Sequence, residues 1–295
     1  MKTTIASSKP LPSFFYGWGA FLSETWTLYR RALIKLYRRP VILYFSLVQP
    51  MIWLLLFGQI FNRITEAPGF SAAFGGQSYL AFFAPAIILQ TILFGAGQSG
   101  LGLINDLDTG FLSKLLTTPI HRLAILLGKV LGDLTRMLSQ AIIILVVTFA
   151  VGLRWIDGSL EPTITYYYGL PGLLGALGIV LLFGLMLAAL NVAVALTTRN
   201  TEATFLISNF LTFPLIFTSS ALLPLELLPD WLGTVATFNP VTYAIHALRV
   251  LLYGPTSVPP GTTMGDTILH TVGILLVLTV ITLTLGTSRF RRVVG

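Results

Sequence analysis

Six stretches of this chain, 40–62, 79–105, 137–153, 170–198, 203–225 and 267–288, each run for at least seventeen residues without one Asp, Glu, Lys or Arg. A helix rises about 1.5 Å per residue, so each can cross the roughly 30 Å of a bilayer's hydrocarbon. A membrane strand would instead show about ten alternating residues. Lys129, Asp133 and Arg136 lead into the third stretch and extend the same helix, giving a span of 129–153. The pattern predicts an all-α membrane protein with six transmembrane helices. Composition agrees: 55% of the 295 residues are hydrophobic and 10% charged, where soluble domains carry about a quarter. That excludes an ordinary soluble enzyme and a disordered chain.

Positions of the basic residues predict orientation. Segment 1–39, the loop before the third span, the turn at Arg199 and the tail with Arg289, Arg291 and Arg292 hold fifteen of the eighteen Lys and Arg. Arg63, Arg154 and Arg249 fall in the other loops. Basic loops stay in the cytoplasm, so both termini are expected there, in a cell (inner or plasma) membrane. The net charge of +7 then reflects topology, and no nucleic-acid partner is expected. No signal peptide is expected either, because 39 mostly polar residues precede the first apolar run.

Phe21, Leu22, Thr25, Trp26, Leu28, Tyr29, Ala32, Leu33 and Leu36 recur at helical spacing among Arg30, Arg31, Lys35 and Arg38. They predict an amphipathic helix at the cytoplasmic interface, the alternative being a solvated basic tail. The expected division is a cytoplasmic segment 1–39, a transmembrane domain 40–288 and a cytoplasmic basic tail 289–295.

The spans lack charges at their centres, where ion-coupled carriers hold theirs. Their polar groups, Gln49, Gln59, Gln90, Gln140, Asn191 and Asn209, either bond helix to helix or line a path. No phosphate-cradling loop is present: the Gly128-Lys129 pair is followed by Val130 and has Leu123 where the first glycine belongs. If the chain moves a solute uphill, any ATPase that drives it must be a separate polypeptide. Cysteine is absent, which removes thiolate metal sites and cysteine nucleophiles. No metal site and no catalytic residue is expected.

Gly97-Gln98-Ser99-Gly100 matches the Gly-x-Ser-Gly pattern of intramembrane serine proteases, and His270 is the histidine on a later span. In the expected topology Ser99 lies near the inner end of its helix and His270 near the outer end of another. A nucleophile and its base need about 3 Å. The protease is therefore the weaker alternative, and an ATP-independent channel is another.

Small residues favour close helix packing in the fourth span: Gly172, Gly175 and Gly178, then Gly184 and Ala188. Pro214, Pro224 and Pro229 interrupt the fifth span and its continuation. Beyond Asn239-Pro240-Val241, the run 243–253 is apolar apart from His246 and Arg249 but too short to cross. An outer re-entrant helical hairpin between the fifth and sixth spans is expected.

The six-span layout, the basic amphipathic helix, the segment Asn239-Pro240-Val241-Thr242-Tyr243-Ala244 and the loop from Asn105 to Ile120 resemble ABC-2 type transporter permeases, and the likeness covers nearly the whole chain. The resemblance implies an exporter half. Two permease subunits, alike or different, would work with two ABC ATPase subunits that hold the ATP and Mg, this chain carrying no cofactor. It implies that the loop after the second span docks on the ATPase through Asp106, Asp108, Thr109, Gly110, Phe111, Leu112, Leu115, Leu116 and Pro119. The acids would open a short amphipathic helix, where negative charge is favourable, and Pro119 would end it. It also implies that the first, second and fifth spans line the path, making Gln49, Trp53, Gln90, Phe94, Asn209, Phe213 and Phe217 candidates. Asn239, Pro240, Tyr243, His246 and Arg249 carry the re-entrant segment. The expected substrate is amphipathic or hydrophobic: a drug, a lipid or a lipid-linked glycan.

Overall fold

The computed structural model describes residues 17–38, 40–65, 74, 77–118, 120–156, 159–162 and 164–294. Ten helices appear among them: α1 Trp18–Arg38, α2 Pro40–Thr65, α3 Tyr79–Asp108, α4 Phe111–Leu116, α5 Arg122–Val151, α6 Gly169–Thr198, α7 Thr201–Phe217, α8 Asp230–Phe238, α9 Pro240–Tyr253 and α10 Met264–Val294. Five of them, α2, α3, α5, α6 and α10, are long and apolar enough to cross a membrane. The remaining expected span, the fifth, corresponds to the shorter, 17-residue apolar helix α7. It stops at Phe217, short of the expected Leu225, because Pro214 lies in its last turn and Thr218 caps it by bonding back to the Pro214 carbonyl.

Other boundaries also moved. α5 begins at Arg122, seven residues before the expected start, and α10 continues through the basic tail to Val294. Among the described residues the regular structure is helical apart from one short hairpin after α5, where strands β1 Leu153–Ile156 and β2 Ser159–Pro162 pair antiparallel with Leu153 opposite Pro162. Beyond it the Tyr166 hydroxyl donates to the Leu145 carbonyl at 2.6 Å. Burial pushes that phenol above its ordinary range.

α3 is the central element. It packs against α2, α5, α6 and α7, and most of its side chains are buried. Glycine permits the closest approaches. A Cβ on Gly100 would stand 2.7 Å from the Asn191 carbonyl oxygen of α6, and one on Gly97 3.4 Å from Ser208 of α7. Ser208 donates to the Asn191 side chain at 2.6 Å, and Gln140 of α5 donates to Ser46 of α2 at 2.6 Å. For Gln140 and Asn191, helix-to-helix bonding is thus the structural role.

The basic amphipathic helix forms, and it is docked. α1 runs along α5 in the same direction, with Glu24 accepting from the His121 backbone at 2.9 Å and Tyr29 meeting Thr135 at 3.0 Å. Gly128 and Gly132, four residues apart on α5, make the seat. A Cβ on Gly128 would stand 2.6 Å from the Leu28 Cβ, and one on Gly132 would strike the Ala32 Cβ. Trp18, Leu22 and Trp26, at i, i+4 and i+8, remain uncovered at 85%, 62% and 61% exposure.

Candidate functional site

Three groups of residues are candidates, and α3 touches all of them. The first lies at the end of the bundle where the basic residues of α1, α4 and α5 gather beside the acidic last turns of α3, here termed the basic end. Asp106 and Asp108 belong to the last turns of α3, not to the start of the loop helix. Asp106 accepts from Lys129 of α5 at 3.3 Å. Both acids thus close α3 instead of opening the loop helix, and of the two Asp106 carries the ion pair. Gly110, at φ 68°, turns the chain, and α4 follows. Only a residue without a Cβ adopts that angle freely.

The orientation of α4 is informative. Phe111 lies under the Arg31 guanidinium, 3.6 Å from ring centre to Cζ, and Leu115 packs on the core. Both turn toward the subunit. Asp108, Thr109, Lys114, Thr117 and Thr118 are exposed. The side chains of Leu112 and Leu116, and Pro119, lie outside the described residues.

A furrow between α2 and α7 is the second group. Over residues 79–100 α3 is buried except at Gln90, Phe94 and Gln98, a less buried line at i, i+4 and i+8. Phe94 meets Phe213 of α7 edge-on at 6.1 Å, and Phe213 stacks on Phe217 at 6.3 Å. Phe213 and Phe217 are about half exposed, and Gln49 is exposed on α2. Gln49, Gln90 and Gln98 make no side-chain hydrogen bond to another described residue. Trp53 has a packing role: it stacks on Phe57 at 4.8 Å and begins a ladder through Phe61 to Tyr79. Asn209 donates back to the Phe205 carbonyl of its own helix. Gln98 was overlooked at the sequence level, although its spacing from Gln90 and Phe94 was available as a signal.

The third group lies at the opposite, far end. Asn239 is buried at the elbow between α8 and α9. Its Oδ1 accepts from the Val241 N–H at 2.9 Å, capping α9, while its Nδ2 donates to the Leu215 carbonyl at 2.7 Å and to the Thr218 hydroxyl at 3.0 Å. One side chain thus satisfies two helix ends, and Pro240 takes the first helical position, where it needs no N–H donor. α9 is almost wholly buried, and Tyr243 closes the elbow by donating to the Thr237 carbonyl. Arg249, 5% exposed, donates from Nε to the Phe82 carbonyl at 3.1 Å and from Nη2 to the Ser220 carbonyl at 2.9 Å. His246 and Arg249 border a cavity of about 300 Å³.

Ser99 is fully buried, and its hydroxyl has no partner among the described residues. It is packed between helices rather than activated by a base. No group of three or more His, Asp or Glu among the described residues is placed to hold a metal ion.

The sequence model of the ABC-2 type transporter family matches residues 23–253, from α1 to the last residue of α9. The chain belongs to the ABC-2 type transporter family. It is 32% identical over 246 residues to the ycf38 transport permease of Cyanophora paradoxa, covering 83% of this chain and 77% of that one. It is 26% identical over 251 residues to the daunorubicin resistance ABC transporter permease protein DrrB1 of Streptomyces coeruleorubidus, covering 85% and 81%. As an ABC-2 permease the chain is a multi-pass membrane protein with a transport function. Members of the ABC-2 family are membrane subunits without a nucleotide-binding domain of their own, and are not themselves enzymes.

Proposed function

We propose that this ABC-2 permease forms half of an ATP-driven export path for an amphipathic or hydrophobic molecule. α2, α3, α5, α6, α7 and α10 are its six spans, with both termini in the cytoplasm of an inner or plasma membrane. The observation that carries the reading is the line Gln90, Phe94 and Gln98 on the otherwise buried stretch 79–100 of α3. Burial of the remaining faces leaves this mixed amide and aromatic stripe open between α2 and α7. A second subunit, of the same or another sequence, closes the furrow into a path. Aromatic faces and uncharged amides suit an apolar body carrying a few polar groups, and a daunorubicin-resistance relative supports a drug over a glycan.

The loop from Asn105 to Pro119 couples the permease to two ATPase subunits, which bind ATP and Mg. Phe111 and Leu115 anchor α4 inward, so the ATPase meets its exposed side at Thr109, Lys114 and Thr117. α8 and α9 form the re-entrant segment at the far end. Copurification of an ABC ATPase with the tagged chain from its native membranes, followed by ATP-dependent uptake of daunorubicin into inverted vesicles, tests the reading. Uptake that needs no ATP supports the channel alternative. Failure of any ATPase to copurify overturns the coupled exporter.

A further inference from the structure

A cavity of about 460 Å³ opens at the basic end beneath α1, bounded by α1, α2, α3, α4 and α5. Four cations face it, Arg31, Lys35, Lys129 and Arg136, with two carboxylates, Asp106 and Asp133. Lys129 is taken by Asp106 at 3.3 Å. Arg136 is held by Asp133 at 3.6 Å and by the Gly95 carbonyl at 2.8 Å. The two remaining positive charges sit one turn apart on α1. Neither Arg31 nor Lys35 has a carboxylate partner among the described residues, and Arg31 rests on Phe111.

The rest of the lining is mostly apolar, including Leu28, Leu36, Leu103 and Ile125, with Ser46 and Gln98 as its uncharged polar members. A small inorganic anion would leave such walls unused. A phosphodiester attached to a glycerol and acyl stems would use both parts. The helix bearing the two cations also exposes Trp18, Leu22 and Trp26 in a stripe, and tryptophans of this kind sit at the headgroup level of a bilayer. We propose that this cavity binds the phosphate of an anionic phospholipid. The lipid bridges Arg31 and Lys35 on α1 to the cavity wall formed by α4 and α5, and so steadies the seat of Phe111. The inference needs only a multi-pass membrane protein, and it survives if the ATPase-coupled reading fails.

Purified full-length chain in neutral detergent is titrated with phosphatidylglycerol, phosphatidylcholine or inorganic phosphate. Retained lipid is counted by native mass spectrometry, and the thermal midpoint is followed. Phosphatidylglycerol is expected to bind about tenfold or more tightly than phosphatidylcholine, and to raise the midpoint where phosphate does not. The double variant Arg31→Gln, Lys35→Gln should lose the preference, and Arg30→Gln, Arg38→Gln on the same helix should keep it. Wild-type preference should also weaken as salt rises, which tests the site without any variant. Equal retention of the two lipids, preference untouched by removing Arg31 and Lys35, or preference insensitive to salt overturns the site. Stabilisation by inorganic phosphate equal to that by phosphatidylglycerol makes it an ion site and overturns the lipid assignment.

Discussion

The Arg249 guanidinium lies 3.4 Å above the centre of the Phe82 ring, while its Nε donates to the carbonyl of that same residue. A second arm reaches the Ser220 carbonyl. No acid forms an ion pair with it among the described residues. A buried guanidinium of this kind is held by an aromatic face and two main-chain dipoles. It ties α9 to α3 and to the turn after α7.

Arg249→Lys should therefore destabilise the protein although it keeps the charge. An ammonium cannot stack flat on Phe82 and bridge two carbonyls in the same fork. The expected loss is about 1–3 kcal/mol, read as a lower thermal midpoint in detergent. A lysine variant as stable as wild type would mean the fork contributes nothing.

Gly128→Leu and Gly132→Leu should lift α1 off α5, because each introduces side chain where Leu28 and Ala32 already lie. Overpacking of this kind costs about 1–3 kcal/mol. In the cysteine-free chain, cysteines at Tyr29 and Thr135 joined by a short bismaleimide report the docking. Cross-linking should be efficient in the parent and fall in either leucine variant. Undiminished cross-linking would show that α1 does not need the glycine seat.

The two sides of α4 should separate by phenotype. Lys114→Glu changes an exposed residue and should weaken ATPase copurification while thermal stability stays within about 0.5 kcal/mol. Leu115→Asp puts a charge against the core and should destabilise the loop itself, seen as faster limited proteolysis of the isolated subunit. If Leu115→Asp left proteolysis unchanged and removed only ATPase binding, the inward orientation of this helix would be refuted.

Phe94→Ala and Gln98→Ala should lower substrate-stimulated ATP hydrolysis in the assembled transporter without lowering stability by more than about 1 kcal/mol. Trp53→Ala should do the reverse: it removes a rung of a stacked ladder and weakens packing of α2 on α3 by about 3 kcal/mol. Equal stability losses at all three positions would remove the distinction between path and packing.

Ser99→Ala should leave transport intact and stability unchanged or slightly improved, because the buried hydroxyl gives up no bond. Labelling of wild type by a serine-reactive probe, lost in the alanine variant, would restore a hydrolytic reading.

Absence of charge revealed the long helices, because a charge at mid-membrane is rarely tolerated. Their ends depended on partners remote in the chain. α3 continues past Asn105 because Lys129, 23 residues beyond Asp106, neutralises that acid. No local pattern announces such a pairing. The loop helix posed a different difficulty. Spacing identifies an apolar face at Phe111 and Leu115, but the same spacing serves a face turned inward or outward. The Asn239-Pro240 step, by contrast, was readable as a helix start, and only its second bond set, to Leu215 and Thr218, needed three dimensions. Gln98 was hidden by its place in a tempting four-residue motif.

From Pro85 to Asp108 α3 is one unbroken rod, about 36 Å long at 1.5 Å per residue. Its middle is pinched at Gly97 and Gly100 between the backbone of α6 at Asn191 and the Ser208 and Thr204 side chains of α7. A beam held at its middle behaves as a rocker. Were Asp106 to swing one way, the stretch near Pro85 would swing the other, with Phe82 and Arg249 beyond it. Force applied beside the short helix would then reach the far end through main-chain stiffness, with no relay of switching side chains. The load would bear on two glycines, and a methyl group at Gly100 would jam the pivot.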